Sequence, residues 1–515
     1  MDAWAPPTLR WKKEPYQGKA FRQLHPDHLG AAAALHEIAA APSERCRLLE
    51  IGCGDGWNLL PMAEELPDSE FVGIDLDGGR IELGRQALAA LGLENLTLQV
   101  ADFAALDPSL GPFDYIVAHG VYSWVSDALR TVFFEQLAKL LGERGIAYVS
   151  ANVYPGWRCV EPARELGLFH AHQSEAREGE PLLARLRSLA RFFAENMPRG
   201  TPDAALVAEQ YRQLSGASDY LCAFDQLGPT RPEYFEPIVR RAERAGLCFV
   251  ADSAMLSGQY ARLPERLRQG IAELTGDSIQ REQYADFCAL PSFRQFLFSK
   301  APPKPPSAER LRGLYLVGGF RQADQSDPTH PGAAAFQFGN LKLTVTEPAV
   351  KLALLELGAV FPHALVFEEV EQRVASRLGR DSAPPELLAS LLELALLGPL
   401  TVRARGIAAA KTAGARPRIS EASRIQLTVS ERATTALHTF ATILSVFDRE
   451  ALRAMDGRRT KSEIAKHLAL LVQSGAIPMS ELGTGSQGDL DAAVAKRLAK
   501  TLEDAARFLL LLPEA

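Results

Sequence analysis

A chain of 515 residues with 47% hydrophobic content is long enough for two to four domains and too apolar for global disorder. Its net charge of -7 and pI near 5.9 argue against a dedicated nucleic-acid binder, which carries a strongly basic face. No apolar run approaches the ~20 residues of a membrane span, and the first residues lack the apolar core of a signal peptide. We therefore expect a cytoplasmic protein with no stable membrane insertion. The cysteines at 46, 53, 159, 222, 248 and 288 show no C-x-x-C spacing, which fits reduced thiols and no metal cluster.

In chain order, RLLEI (47–51) reads as a strand running into GCGDG, and NLLPMAEEL (58–66) follows with helical period. EFVGIDLD (70–77) is a second strand, GRIELGRQALAALG (79–92) a helix closed by glycine, LTLQVADF (96–103) a third strand and FDYIVAHG (113–120) a fourth. ALRTVFFEQLAKLLGERG (128–145) reads as a helix with a glycine stop, and IAYVSANVY (146–154) as a fifth strand. Strands separated by helices predict βαβ units and a parallel sheet covered on both faces. A helix-rich stretch covers 158–230. PEYFEPIVRRAERAGL (232–247), CFVADSAM (248–255) and FRQFLFS (293–299) then supply a helix and two strands that finish the sheet. The proline-rich APPKPPSAE (301–309) is the clearest linker. Beyond it, 310–410 combines three helices with strand-like pieces, as in a winged helix, and 411–515 reads as a second, helical unit.

The loop at 52–56 carries the strongest chemical signal. Glycines permit a tight positive-φ turn and remove the Cβ that would block a ligand, and the following helix offers free N–H groups. A Walker loop needs G-K-[ST], which Gly56-Trp57-Asn58 lacks. A dinucleotide fingerprint needs a third glycine one residue later. Glu50, ahead of Gly52 and Gly54, is placed to receive the ammonium of an amino-acid ligand. Asp75 ends the second strand about 20 residues on, where an acid takes ribose hydroxyls. Asp102 ends the third strand, placed to accept an adenine amino group, with Leu76, Ala101 and Phe103 beside the base. A nucleoside joined to an amino acid is the ligand this set specifies, namely S-adenosylmethionine, with S-adenosylhomocysteine as product and no metal.

The motifs GCGDG, GIDLD and VADF resemble those of class I S-adenosylmethionine-dependent methyltransferases. More narrowly, HPDHLG (25–30), FDYIVAHGVYSWV (113–125), YVSANVYPGW and REQYADF…FRQFL resemble bacterial methyltransferases with a regulatory domain. The resemblance implies an α/β fold: a Rossmann-like, seven-stranded methyltransferase sheet with a helical insertion, then a mainly helical, winged-helix-like C-terminal region. It implies 1–45 as a cofactor-covering segment, 46–157 as the core, 158–230 as a lid, substrate clamp or dimer surface, and 231–300 as completion of the sheet. Characterised relatives methylate lysines of outer-membrane proteins, so a protein or peptide substrate is implied, and a homodimer is allowed. SDYLCAFDQL (218–227) departs from relatives that carry a histidine and an acid there. This keeps O- or N-methylation of a small molecule or peptide open as an alternative, with a non-catalytic cofactor-binding scaffold as a third reading.

Where nucleobase and amide N-methyltransferases carry [DN]-P-P-[YFW], this chain has His119-Gly120-Val121-Tyr122. We expect Tyr122, Trp124, Asn152, Tyr154 and Trp157 to wall an acceptor pocket, where cation–π contact with each ring holds a lysine ammonium. His119 is expected to touch the cofactor. His119, Tyr122 or Tyr154 is the candidate relay of the proton to water, a reaction with no dedicated base stays open, and His25-Pro26 is the expected fixed turn of a lid.

Overall fold

The computed structural model describes residues 18–174, 182–198, 200–217, 228–254, 256–483 and 489–514. The core runs α1 (Pro26–Leu35), β1 (Arg47–Ile51), α2 (Leu59–Glu65), β2 (Glu70–Asp75), α3 (Gly78–Leu91), β3 (Leu96–Val100), β4 (Phe113–Ala118), α4 (Asp127–Leu140) and β5 (Leu141–Tyr154). An insertion follows, made of α5 (Glu161–Ser174), α6 (Leu182–Asn196) and α7 (Pro202–Gly216). Then come β6 (Glu233–Tyr234), α8 (Phe235–Arg244), β7 (Cys248–Asp252), α9 (Gln259–Arg262), α10 (Glu265–Leu274), α11 (Ser278–Ala289) and β8 (Phe293–Ser299).

The main sheet has the order β3-β2-β1-β4-β5-β8-β7, with the two-residue β6 paired beside β5. Strands β1 to β5 are parallel, and β8 runs antiparallel to both β5 and β7. The central strands are nearly continuous apolar runs because helices cover both faces: β1 has one partly exposed residue, at Arg47, and β4 has one, at Asp114. Chain order reverses between β1 and β4, which opens a crevice at their C-terminal ends, the place where open α/β sheets bind ligands.

Helix boundaries follow local chemistry. Asp77 caps α3 by accepting from the backbone N–H groups of Gly79 and Arg80, and Gly92 closes it at φ +63°. The helix expected over 128–145 is shorter. It stops at Leu140, and residues 141–145 instead begin β5, where Leu141 pairs with Phe113 across a bulge. Sheet pairing overrides helical period here, because the buried Leu141 and Ile146 both belong to the sheet core.

The insertion has its own small core, including Leu168, Leu186, Ala190, Tyr211 and Leu214. The divergent stretch 218–227 lies outside the described residues.

The proline-rich stretch is pinned to the surface. The Lys304 backbone N–H donates to the His36 carbonyl at 3.0 Å, and His36 Nδ1 lies 2.9 Å from the Lys304 carbonyl. Past it lie β9 (Tyr315–Val317), β10 (Arg321–Gln322), β11 (Ala334–Phe338), β12 (Leu341–Val345), α12 (Pro348–Val360), β13 (Leu365–Val366), α13 (Phe367–Arg377), α14 (Glu386–Leu396) and β14 (Thr401–Arg403). This unit shares one apolar core with the methyltransferase-like sheet, continuous from Leu48 and Tyr115 through Leu29 to Leu316, Leu352 and Leu391. The final unit holds α15 (Glu421–Val429), the hairpin β15 (Arg432–Thr434) and β16 (Phe440–Thr442), α16 (Val446–Ala454), α17 (Lys461–Gln473) and α18 (Leu490–Arg507) around Phe447, Ile464, Leu468 and Leu498. Among the described residues, no helix is long and apolar enough to cross a membrane.

Candidate active site

A cleft of about 440 Å³ opens at the switch point. The glycine loop forms one wall. Gly52 and Gly54 have φ of +76° and +57°, and a Cβ on Gly52 would lie 2.5 Å from Val121 Cγ2, so only glycine closes this turn. Asp75 ends β2 and accepts two backbone N–H bonds at 2.8 Å, from Gly54 to Oδ2 and from Asp77 to Oδ1. It ties the loop to the next turn while each oxygen keeps a lone pair for a ligand. Leu76, Ala101 and Phe103 line the far end, and His119 and Gly120 the near end. Arg80, Val121 and Val125 also line it. Sequence reasoning missed these three, since they are ordinary-looking residues on α3 and on the turn after β4.

Behind the loop lies a group of carboxylates. Glu50 is buried and receives Asn58 Nδ2 at 3.2 and 3.1 Å on its two oxygens. Burial pushes Glu50 up to about 8, against the Asn58 hydrogen bond. Asp55, also buried, is pushed up to about 6 by the same cause. A cationic ligand answers this uncompensated acidity, and the glycine cradle admits its main chain. The residues present therefore fit a sulfonium amino-acid nucleoside.

Several expected roles need correction. Tyr122 is 0% exposed. Its hydroxyl donates to Glu233 at 2.8 Å and accepts from Arg241, while Arg241 grips Glu233 with two bonds of 2.9 Å and Arg130 adds one at 3.1 Å. The short 3₁₀ turn at Tyr122–Trp124 aims this ring into the core against Phe133 and Phe134. Asn152 is a buried brace, with its Nδ2 donating to Thr230 and its backbone N–H to Ser123. Trp157 is buried too. Trp124 lines the cleft beside Phe103 rather than an acceptor pocket. Asp102 is exposed and caps the following turn by accepting from the Ala104 N–H at 2.9 Å, and it is not among the lining residues. His25 and Pro26 are no lid. His25 caps α1 with Nδ1, both residues are buried, and Asp27 next to them pairs with Arg403 of β14 at 2.5 Å.

The groups that cluster around His119 come from distant segments. The Phe21 ring lies 4.3 Å from His119, and Phe293, 40% exposed at the start of β8, lies 5.8 Å away on another side. Asn152 of β5 pairs with Phe293 in the sheet, which brings Phe293 to the strand ends. His119 Nδ1 sits 3.0 Å from the Tyr148 hydroxyl. Burial, with Lys19 nearby, lowers His119 to about 4, so its ring is neutral. Tyr154 donates to Glu161 at 2.8 Å, carries Arg158 over its ring, and is pushed up to about 12 by burial and Glu161.

Residues 48–145 match a methyltransferase domain, 220–300 a predicted methyltransferase regulatory domain, and 415–510 the PKMT C-terminal winged helix domain. An uncharacterised protein of Rickettsia prowazekii (strain Madrid E) is 32% identical over 238 residues, covering 46% of this chain and 94% of the relative. The chain belongs to the class I S-adenosylmethionine-dependent methyltransferases. A second uncharacterised Rickettsia prowazekii protein is 26% identical over 491 residues, 91% of this methyltransferase and 87% of the relative. The structure of PKMT2 from Rickettsia typhi in complex with AdoHcy superposes with a TM-score of 0.84 at 26% identity, covering 97% of this chain and 100% of that one. The methyltransferase therefore shares its fold along almost its whole length with PKMT2, including the winged-helix unit. S-adenosylmethionine is its methyl donor.

Proposed function

We propose that this methyltransferase transfers a methyl group to the side-chain amine of lysine in a protein substrate. The observation that carries this reading is the whole-length likeness to PKMT2 together with the PKMT winged helix domain. In it, Asp75 takes the ribose hydroxyls, and Leu76, Ala101 and Phe103 flank the adenine. Gly52 and Gly54 admit the main chain of the cofactor, and Glu50 draws its ammonium. Outer-membrane proteins are the substrate class that the family resemblance implies, met in the cytoplasm before export.

The bound cofactor supplies a methyl group on a sulfonium leaving group, so the protein has to align, desolvate and hold a neutral nucleophile. A lysine with pKa near 10.4 loses its proton at a cost of about 4 kcal/mol at pH 7.4. Transfer of that proton to His119, at about 4, is uphill by roughly six units, or about 9 kcal/mol. His119 is therefore a wall and orienting group rather than a base. Tyr122 is sealed in the core, and burial raises its phenol further. Tyr154 stays a neutral phenol bound to Glu161. Water takes the proton, and Phe21, His119 and Phe293 shield the amine.

The pH dependence follows. With labelled S-adenosylmethionine and bacterial extract, label should enter the protein fraction rather than the small-molecule fraction. Its kcat/KM should rise about tenfold per pH unit from 7 to 9. Label confined to small molecules, or a plateau below pH 7, would sink the reading.

Trp124→Ala should weaken cofactor binding about tenfold with little change in turnover at saturation, as expected for a ring that lines the cofactor cleft. Calorimetry with S-adenosylhomocysteine checks this. Unchanged affinity with lost turnover would instead move Trp124 to the acceptor side.

A further inference from the structure

The winged-helix unit packs against the methyltransferase core and reaches into it through a turn. The turn joining β15 to β16 inserts His438, which is 2% exposed, and holds it at φ +53°, a conformation that residues with a side chain rarely adopt. The turn is fixed from within: Thr435 and Thr439 bond through backbone and hydroxyl groups, and the His438 N–H donates to the Thr435 carbonyl at 2.9 Å. His438 Nε2 lies 3.0 Å from Asn58 Oδ1, 380 residues away in sequence.

Asn58 is a junction. Its amide oxygen also receives the Phe21 backbone N–H at 3.1 Å, and its Nδ2 donates to both oxygens of Glu50. The carboxylate on one side and the N–H on the other settle which end of the amide is oxygen, so His438 Nε2 must carry the proton. Burial keeps His438 far below its ordinary range and therefore neutral, the state able to hold this bond without adding buried charge. Nearby, Glu64 of α2 accepts the Glu421 and Ala422 N–H groups at 2.7 and 2.9 Å and so caps α15, which fixes the same unit at a second point.

We propose that His438 is a positioning residue for cofactor binding: it fixes the Asn58 amide, which holds Glu50 in the orientation that receives the amino-acid end of S-adenosylmethionine. This rests on the reading that Glu50 draws the cofactor ammonium. Cofactor affinity is then coupled to the seating of the C-terminal unit, and by linkage the cofactor must tighten that seating.

The test measures S-adenosylmethionine affinity by calorimetry and backbone exchange over residues 432–442 by mass spectrometry, in the full-length protein. His438→Ala should raise the cofactor Kd about tenfold while leaving kcat at saturation near wild type. His438→Gln, which keeps an N–H donor, should stay within about twofold. In an Asn58→Ala background, His438→Ala should add nothing further. Cofactor should slow exchange at 432–442 in the wild type. If His438→Ala melts prematurely, the glutamine variant and the wild-type exchange arm still decide. Wild-type affinity in His438→Ala, an equal loss in the Asn58→Ala background, or exchange at 432–442 indifferent to cofactor overturns the proposal. A Glu50→Gln variant that binds as wild type would instead overturn the underlying Glu50 reading.

Discussion

Asp75→Ala should abolish measurable S-adenosylmethionine binding while leaving a folded protein. The carboxylate both holds the glycine loop and faces the cleft. Oδ2 takes the Gly54 N–H and Oδ1 the Asp77 N–H. Alanine frees both turns and removes the charged acceptors offered to the ribose. Hydrogen bonds to a charged group contribute about 1.5–3 kcal/mol each, so loss of two gives a drop of at least about 100-fold. Calorimetry measures the binding, and a melting curve separates it from unfolding. Asp75 lies at the end of β2, and its loss opens no core cavity, so the melting temperature should fall by only a few degrees. Near-normal binding by Asp75→Ala would remove the ribose assignment.

The largest loss of stability is expected from Arg294→Leu. Arg294 of β8 is 1% exposed, stacks on Phe235 at 4.3 Å, and faces Asp286 at 2.8 Å, Glu282 at 3.2 Å and Asp252 at 3.5 Å. Leucine leaves three acids without a cation. Removing one partner of a buried ion pair costs about 3–5 kcal/mol. Burial already pushes Asp286 up to about 7 and raises Asp252, so below pH 7 Asp286 holds a proton in the folded state that it would release on unfolding. Stability from such groups is present at low pH and is lost as pH rises through the folded pKa. The wild type should therefore lose some stability between about pH 4 and 7. Arg294→Leu should lose more and keep losing it above pH 7, because without the guanidinium that lowers them Asp286 and Asp252 hold their protons more tightly in the folded state. Denaturant melts at pH 5 and pH 7.5 check both signs. A variant equally destabilised at both pH values would contradict the electrostatic account.

This network also explains the motif REQYADF…FRQFL. It supplies Glu282, Asp286 and Arg294, and here forms a buried structural lock that fastens α11 to β8. The alternation of strands and helices and the glycine loop with Asp75 at the next strand end were legible in sequence because each rests on local signals: apolar runs, positive-φ glycines and an acid at a strand end. The acceptor side was not. Tyr122 looks like a pocket wall until Glu233 and Arg241, more than a hundred residues on, claim its hydroxyl. Phe21 and Phe293 meet His119 only through folding of the two ends of the catalytic region. His25 and His438, with rings 5.0 Å apart, sit at a seam between units, and no periodicity reports such a seam. Apolar pattern fixes which face of an element is buried, whereas long-range polar pairs decide which side chains stay free for chemistry.

The most direct measurement is residue-level mapping of the transferred methyl. Purified enzyme would be incubated with methyl-labelled S-adenosylmethionine and a denatured outer-membrane protein, and the product would be digested and sequenced by mass spectrometry. The account predicts label on lysine Nε, in wild type and not in Asp75→Ala. Label on carboxylates, hydroxyls or chain termini, or incorporation that persists in Asp75→Ala, would contradict it.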